Sequence, residues 1–278
     1  SILPIVLSNF GVISKEMVIL APRGEFSKGA LNIRKFKKNL FIFISKVFGL
    51  YKNITWHATS KEEKNDIIDV FGNNVKVCIA NNLTANYNSK NYDKTLQKKS
   101  GSINLLFLSR IHPKKNLLNA IRYLKKVKGN VNFNIYGPIE DEKYWELCKK
   151  EILGLPTNIN VYYKGIIEHS EIFSVFKQNH VFLFPTLGEN YGHVISEALI
   201  GGCPLIISNQ TPWKELESHN VGWEIPLDEE DTFVEKIQYS INMDNQEYRS
   251  KSISAYHFGL NRSNQTKDIE ATLKLFGI

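Results

Sequence analysis

Glu189 and Glu197 lie eight positions apart in Val181-Phe-Leu-Phe-Pro-Thr-Leu-Gly-Glu-Asn-Tyr-Gly-His-Val-Ile-Ser-Glu-Ala-Leu. The apolar opening of this stretch reads as a buried strand. Gly188 and Gly192 bracket a tight polar loop, and a helix opens at Gly192 with Glu197 just inside it. A second buried strand, Leu205 to Ser208, follows the Gly-Gly turn after Ile200. Such a unit puts its loop at the carboxyl edge of a parallel sheet, where open α/β folds bind ligands. Free amides at the helix start favour an anion. Two carboxylates beside that anion suit a ligand carrying both hydroxyls and phosphate, as a sugar nucleotide does.

A second constellation is Ser109-Arg110-Ile-His-Pro-Lys-Lys115-Asn-Leu. Arg110 ends one apolar strand, and Lys115 stands five positions on at the start of a helix. An arginine fork and a lysine point charge can converge on one diphosphate, whose negative charge grows as it leaves. Taken singly, each residue also has a plainer reading: a solvated loop carboxylate, a helix-start charge or a basic surface turn. Their shared position on one sheet edge favours the joint reading.

The elements needed to position these groups are legible. Strands at Ile103 to Ser109, Val131 to Tyr136, Asn160 to Tyr163, Val181 to Phe184, Leu205 to Ser208 and Gly222 to Ile225 alternate with helical stretches. Those stretches begin at Lys115, around Glu140, around Ser170, at Gly192 and after Asp228. The alternation predicts a complete parallel sheet with helices on both faces. Asp228-Glu-Glu-Asp reads as a helix N-terminus rather than a metal site. Residues 244 to 278 read as helical.

The earlier part is shorter. Residues 3 to 15 suggest a short apolar helix, Val18 to Ala21 a strand, and residues 34 to 50 a helix with a basic start and an apolar body. Ile54 to Ala58 and Val75 to Ile79 read as strands, and Thr59-Ser-Lys-Glu-Glu as a capped helix start. About three strands amount to half of a usual doubly wound domain. Asn81 to Gly101 lacks apolar periodicity and reads as a linker.

Bulk properties exclude several classes. At 278 residues the chain can bury two α/β cores, and 42% hydrophobic with 23% charged residues is ordinary for a globular protein. Cys78, Cys148 and Cys203 are dispersed, so no disulfide framework or zinc site is expected. No apolar run reaches the roughly 18 residues of a spanning helix. The formal charge of +7 is spread along the chain, and no nucleic-acid-reading motif accompanies it. An anionic membrane surface or an acidic, lipid-linked substrate fits that charge better. The basic start and aromatic body of residues 34 to 50 are of a type that also suits peripheral membrane contact, but the apolar face of such a helix is more often a core face, and that is the first expectation here.

With these residues in view, the second half resembles the nucleotide-sugar-binding domain of the GT-B-fold retaining glycosyltransferases, family 4. Glu189 and Glu197 match the two ends of the family's Glu-x7-Glu motif, and Arg110 and Lys115 its Arg-x4-Lys pair. The resemblance covers residues 100 to 245, with a weaker likeness over 1 to 85 through Pro22-Arg-Gly-Glu and Thr59-Ser-Lys-Glu-Glu. It implies an α/β GT-B architecture: a complete C-terminal Rossmann-like doubly wound sheet and a partial N-terminal Rossmann-like domain. It implies that Arg110 and Lys115 neutralise the donor diphosphate with amides of Tyr191, Gly192, His193 and Val194. Glu197 would hold the ribose and Glu189 the transferred sugar, while backbone near Tyr136-Gly137 and Ile166-Ile167 lines the nucleobase pocket. Transfer with retention, without cofactor or metal, from a UDP-, GDP- or other nucleotide-sugar to a glycan or lipid-linked acceptor is the implied activity. Cell-surface polysaccharide synthesis is the expected setting, at a cytoplasmic location that includes the inner membrane face.

The expected domains are 1–98, a partial acceptor-side domain with linker; 99–260, the donor-binding domain; and 261–278, a C-terminal helix of the kind that packs back on the first part. The acceptor-side part is about half the family's usual length and lacks its Gly-rich opening loop and cleft histidine. His57, in a strand before a helix, does not match that position and reads as structural. Ser1 enters in what looks like mid-helix, so a truncated chain is expected. Rival readings are a non-catalytic nucleotide-sugar-binding module, a GT-B-like epimerase and a basic nucleic-acid binder.

Overall fold

The computed structural model describes residues 2–9, 18–26, 31, 35–52, 54–80, 92–263 and 266–278. The chain forms two compact units: Ser1–Leu83 with Gln265–Ile278, and Thr84–Asn264. Residues 81–91, within the expected linker, and residues 10–15 of the expected first helix lie outside the described residues.

The larger unit is built on six parallel strands, β4 (Ser102–Leu108), β5 (Asn130–Tyr136), β6 (Ile159–Tyr163), β7 (Val181–Phe184), β8 (Leu205–Ser208) and β9 (Gly222–Ile225). Numbered with β1 (Val18–Leu20), β2 (Ile54–Ala58) and β3 (Lys76–Ile79) of the smaller unit, their spatial order is β6-β5-β4-β7-β8-β9. Every residue of β7 and β8 is buried, as expected for strands covered by helices on both faces. Chain order runs outward from β4 through β5 and β6 on one side, and through β7, β8 and β9 on the other. The order in which strands are added therefore reverses between β4 and β7, and a crevice opens there at the carboxyl ends of the strands.

In chain order the helices are α1 (Ile2–Asn9), α2 (Lys35–Val47), α3 (Lys61–Phe71), α4 (Leu117–Leu124), α5 (Glu142–Leu153), α6 (Ile172–Lys177), α7 (His193–Ile200), α8 (Glu230–Asn242), α9 (Asn245–Ser263) and α10 (Thr266–Leu275). Sequence periodicity starts α4 at Lys115, but Pro113–Lys115 forms a separate 3-10 turn. Asn116 breaks the two apart by adopting left-handed backbone with φ 60°, a conformation asparagine tolerates. Acidic Glu230 and Asp231 occupy the first turn of α8, the favourable end of its dipole. Residues 244 to 278 divide into two helices, and α9 packs on α7 through Tyr248, Ser252, Ala255 and Tyr256 at helical spacing.

Residues 92–99 run without regular structure, yet two lysines anchor them within the larger unit. Lys94 is buried and its Nζ donates to the carbonyls of Phe176 (3.0 Å), Asn179 (2.6 Å) and Gly202 (3.0 Å). Lys98 donates to the carbonyls of Lys99, Ile241 and Met243. Burial pushes both ammonium groups down to about 8. Three carbonyl acceptors per ammonium satisfy its donor hydrogens, which is what allows a lysine to sit in a core at all.

The smaller unit holds a three-stranded parallel sheet in the order β1-β2-β3. Among the described residues its buried cluster is small: Ile54, Trp56 and Ala58 from β2, with Ile67 from α3. Trp56 stacks on Phe71 with ring centroids 4.8 Å apart, and Phe26 and Tyr51 close around them. Ser60 caps α3 by accepting from the Glu63 amide at 3.1 Å. Glu63 reaches back to accept from the amide and hydroxyl of Thr59 and from the Gly24 amide. This reciprocal cap ties the Arg23-Gly24 turn to the helix start. His57 bonds the Ala80 carbonyl through Nε2 at 2.7 Å, within the edge of this sheet.

Candidate active site

The residues singled out in sequence all fall on the carboxyl edge of the six-stranded sheet. Arg110 follows β4, Gly137 follows β5, Ile166 and Ile167 follow β6, and Glu189 to Gly192 join β7 to α7. His193 opens α7, Val194 packs against the core beneath it, and Glu197 lies one turn further in.

The strands on either side of the switch point are latched together by their loops. The Leu187 amide donates to the Lys114 carbonyl at 2.8 Å, and Asn116 Nδ2 to the Pro185 carbonyl at 2.9 Å. Thr186 Oγ1 also lies 3.1 Å from the Lys114 carbonyl oxygen. That latch brings Lys115 Nζ to Glu189 Oε1 at 2.5 Å, across 74 positions of sequence. Both side chains are nearly buried, at 11% and 12% exposure. Thr186 Oγ1 donates to the same Glu189 oxygen at 3.0 Å, and the Lys115 ammonium sits 5.6 Å from the centre of the Phe184 ring. A positive charge and an acceptor are thus fixed side by side in the crevice.

Arg110 behaves differently. Its guanidinium is half exposed and pairs with Glu140 at 2.9 Å, a partner the sequence does not suggest. Glu197 is half-buried, and among the described residues no hydrogen bond or ion pair reaches its carboxylate. Burial raises its pKa, opposed by the charge of His169, which follows β6 and was also absent from the sequence reading. A desolvated carboxylate lacking donors can be satisfied by hydroxyl hydrogens brought by a ligand. Residue type alone could have signalled Glu140 and His169, but only the sheet order brings the ends of β4, β5 and β6 to the same edge as α7.

Two glycines are required by geometry. A Cβ on Gly137, at φ 130°, would lie 2.0 Å from the Ser109 carbonyl oxygen, so the ends of β4 and β5 can close only here. The Gly137 carbonyl accepts from Tyr163 at 3.0 Å and its amide donates to the Gly165 carbonyl at 2.8 Å. Gly192 caps α7 at φ 77°, a left-handed turn that aims the first amides of the helix toward the crevice side. Trp213 supports that turn from beneath: its Nε1 donates to the Tyr191 carbonyl at 2.6 Å, and the two rings meet edge to face. Ile166 is largely exposed and Ile167 packs against the core, so their shared segment has one face to the protein and one to solvent.

The family model for glycosyl transferases group 1 matches residues 88–256. A curated Klebsiella pneumoniae protein, described as an uncharacterized 41.2 kDa protein in the cps region, is 26% identical over 198 residues. That alignment takes in 68% of this chain and 51% of the relative, so the chain spans about half the length of the curated relative it matches. Among solved structures, Anabaena HepE in complex with UDP-glucose superposes with a TM-score of 0.72 at 15% identity, covering all of this chain (100%) and 77% of that one. A Staphylococcus aureus TarM mutant in complex with fondaparinux, alpha-GlcNAc-glycerol and UDP gives 0.64 at 17% identity, covering 81% of this chain and 44% of that one. These likenesses establish the GT-B fold.

Proposed function

Because the chain belongs to the glycosyl transferases group 1 family, we propose that it serves the transfer of a sugar, with retention, from a nucleoside-diphosphate sugar to a glycan or lipid-linked acceptor. The observation that carries this reading is the Lys115–Glu189 pair, held at the switch point with Glu197 and the start of α7 on the same edge. Lys115, Arg110 and the amides of Tyr191, Gly192, His193 and Val194 meet the diphosphate. Glu197 accepts the ribose hydroxyls, and Glu189 accepts from the hydroxyls of the sugar being moved. Backbone at Gly137, Ile166 and Ile167 frames the base, consistent with a base contact that leaves no side-chain signature.

In the reaction the bond from the sugar C1 to the terminal phosphoryl oxygen breaks, and its electron pair leaves with the diphosphate. The acceptor hydroxyl oxygen bonds to C1 from the same face, and its proton passes to the departing phosphoryl oxygen. Negative charge on the leaving group is greatest at that moment. A lysine fixed in a crevice of low dielectric is worth more there than in water. Cationic side chains fill the charge role, so the reading invokes no metal. The likeness to a protein from a cps region supports a setting in surface-polysaccharide synthesis, which we place at the inner face of a membrane.

The test is calorimetric binding of UDP-, GDP- and other nucleotide-sugars, followed by turnover with a panel of glycan and lipid-linked acceptors. Lys115→Met and Glu197→Gln should each weaken donor binding at least tenfold, as expected for loss of a charged contact. Binding unchanged in both variants removes the assignment. Donor binding with no transfer to any acceptor would leave a binding module in its place.

A further inference from the structure

Helix α2 turns an apolar stripe away from its own unit. Phe36, Leu40, Phe43 and Val47 recur at intervals of four, three and four, the spacing of a single helical face. They are 81%, 49%, 64% and 64% exposed, and Phe48, just past the helix, is 74% exposed. The opposite side is the packed one: Ser45 is buried, and Lys38 bonds Glu25 at 2.9 Å. A globular surface helix normally buries its apolar stripe and shows its polar face. Here the orientation is inverted.

The charge around the stripe narrows what can cover it. Residues 35 to 52 contain five lysines, at 35, 37, 38, 46 and 52, and no aspartate or glutamate. Lys37 and Lys46 are exposed and, at 100° per residue, flank the stripe on its two sides, the Lys46 ammonium lying 6.0 Å from the centre of the Phe71 ring. A second copy of the helix would set like charges against one another with no acid between them. A surface that is apolar just below an anionic layer satisfies both the aromatic stripe and the flanking ammonium groups. Among the described residues no helix is long and apolar enough to cross a membrane.

We propose that the outward face of α2 docks on an anionic lipid surface, with Phe36, Leu40, Phe43 and Val47 entering the headgroup boundary and Lys37 and Lys46 meeting lipid phosphates. The surface is argued from α2 alone; only its use, bringing the enzyme to a lipid-linked acceptor, rests on the transfer reading above.

The experiment is flotation of the 278-residue chain with vesicles of phosphatidylcholine alone and with phosphatidylglycerol added. Retention only on the anionic vesicles, reduced in high salt, is expected. The double variant F36S/F43S should lose at least tenfold in partitioning, and K37Q/K46Q should lose the preference for anionic lipid. All four positions are exposed, so circular dichroism should be unchanged in both variants. Nucleotide-sugar binding measured without vesicles should equal that of the parent chain. Failure of donor binding would strike the transfer reading and leave the lipid result standing. Equal flotation of the parent and F36S/F43S, or no flotation on either vesicle, overturns the proposal. A dimer that F36S/F43S dissolves, without vesicle binding, assigns the stripe to a second copy instead.

Discussion

Lys115 and Glu189 each carry a desolvation cost that the other chiefly offsets. Removing one partner of a nearly buried pair typically costs about 3–5 kcal/mol, because the remaining charge is stranded. Lys115→Met and Glu189→Gln should each lower the midpoint of urea unfolding, Glu189→Gln less, since Thr186 can still donate to the amide oxygen. The double variant should lose less than the sum of the single losses. Strict additivity in that cycle would mean the two groups do not interact in solution. Trp213 is a milder case. Trp213→Phe keeps a ring beside Tyr191 but deletes the Nε1 donor, so stability should fall by about 1 kcal/mol. If that bond holds the loop before α7 in place, the variant should also bind nucleotide-sugar several-fold more weakly; unchanged binding would limit Trp213 to packing. At this scale the sequence was informative about types and silent about partners. Lys115 and Glu189 were identifiable because each sits just past an apolar strand. Their direct contact, and the pairing of Arg110 with Glu140, depend on which strands are neighbours.

The joint between β4 and β7 shows how an element can be tied by a titratable group. His180, just before β7, accepts the Asn104 amide on Nδ1 at 2.8 Å and bonds the Gln97 carbonyl through Nε2 at 3.0 Å. The arrangement needs the neutral ring, protonated on Nε2 alone. Burial pushes its pKa down to about 4, and the nearby charges of Lys94 and Lys98 act in the same direction. The unfolded chain therefore takes up this proton first as pH falls. Stability from His180 is fully present above about pH 6.5 and is lost progressively toward pH 4. By linkage it amounts to about 2 kcal/mol between pH 7 and pH 5. Unfolding free energies of His180→Gln should show a correspondingly flatter dependence over that interval, and parallel curves for the two proteins would refute the assignment. The strands themselves were legible because continuous apolar runs such as Val181 to Phe184 leave few alternatives. The segment around Lys94 and Lys98 was not. Its composition is that of a solvated linker, and nothing local reveals that Lys94 finds three carbonyls and Lys98 two more in loops and helix ends distant in sequence.

For the molecule as a whole, the asymmetry between the two units is the property most open to measurement. The larger unit has a continuous core running through all six strands and the helices on both faces. Among the described residues, the buried apolar cluster of the smaller consists of Ile54, Trp56 and Ala58 on β2 with Ile67 on α3, beside a sheet of three strands. Sequence alone conveyed that imbalance, since one half offers six strand signals and the other about three. The grouping of α10 with the first unit depends on tertiary packing, which no local pattern encodes. Stability scales with the apolar surface withdrawn from water, so the smaller unit should yield first. Of the four tryptophans, Trp56 alone lies in that unit, and it is fully buried. Its emission should shift to the red at a lower urea concentration than the one that abolishes nucleotide-sugar binding, and Trp56→Phe should delete only that early phase. Residues 84–264 expressed alone should fold cooperatively and keep the later transition, because Lys94, Lys98 and His180 all find their partners within that span. A single coincident transition for both probes would instead mean that the two cores are energetically one, and the isolated larger unit should then be unstable.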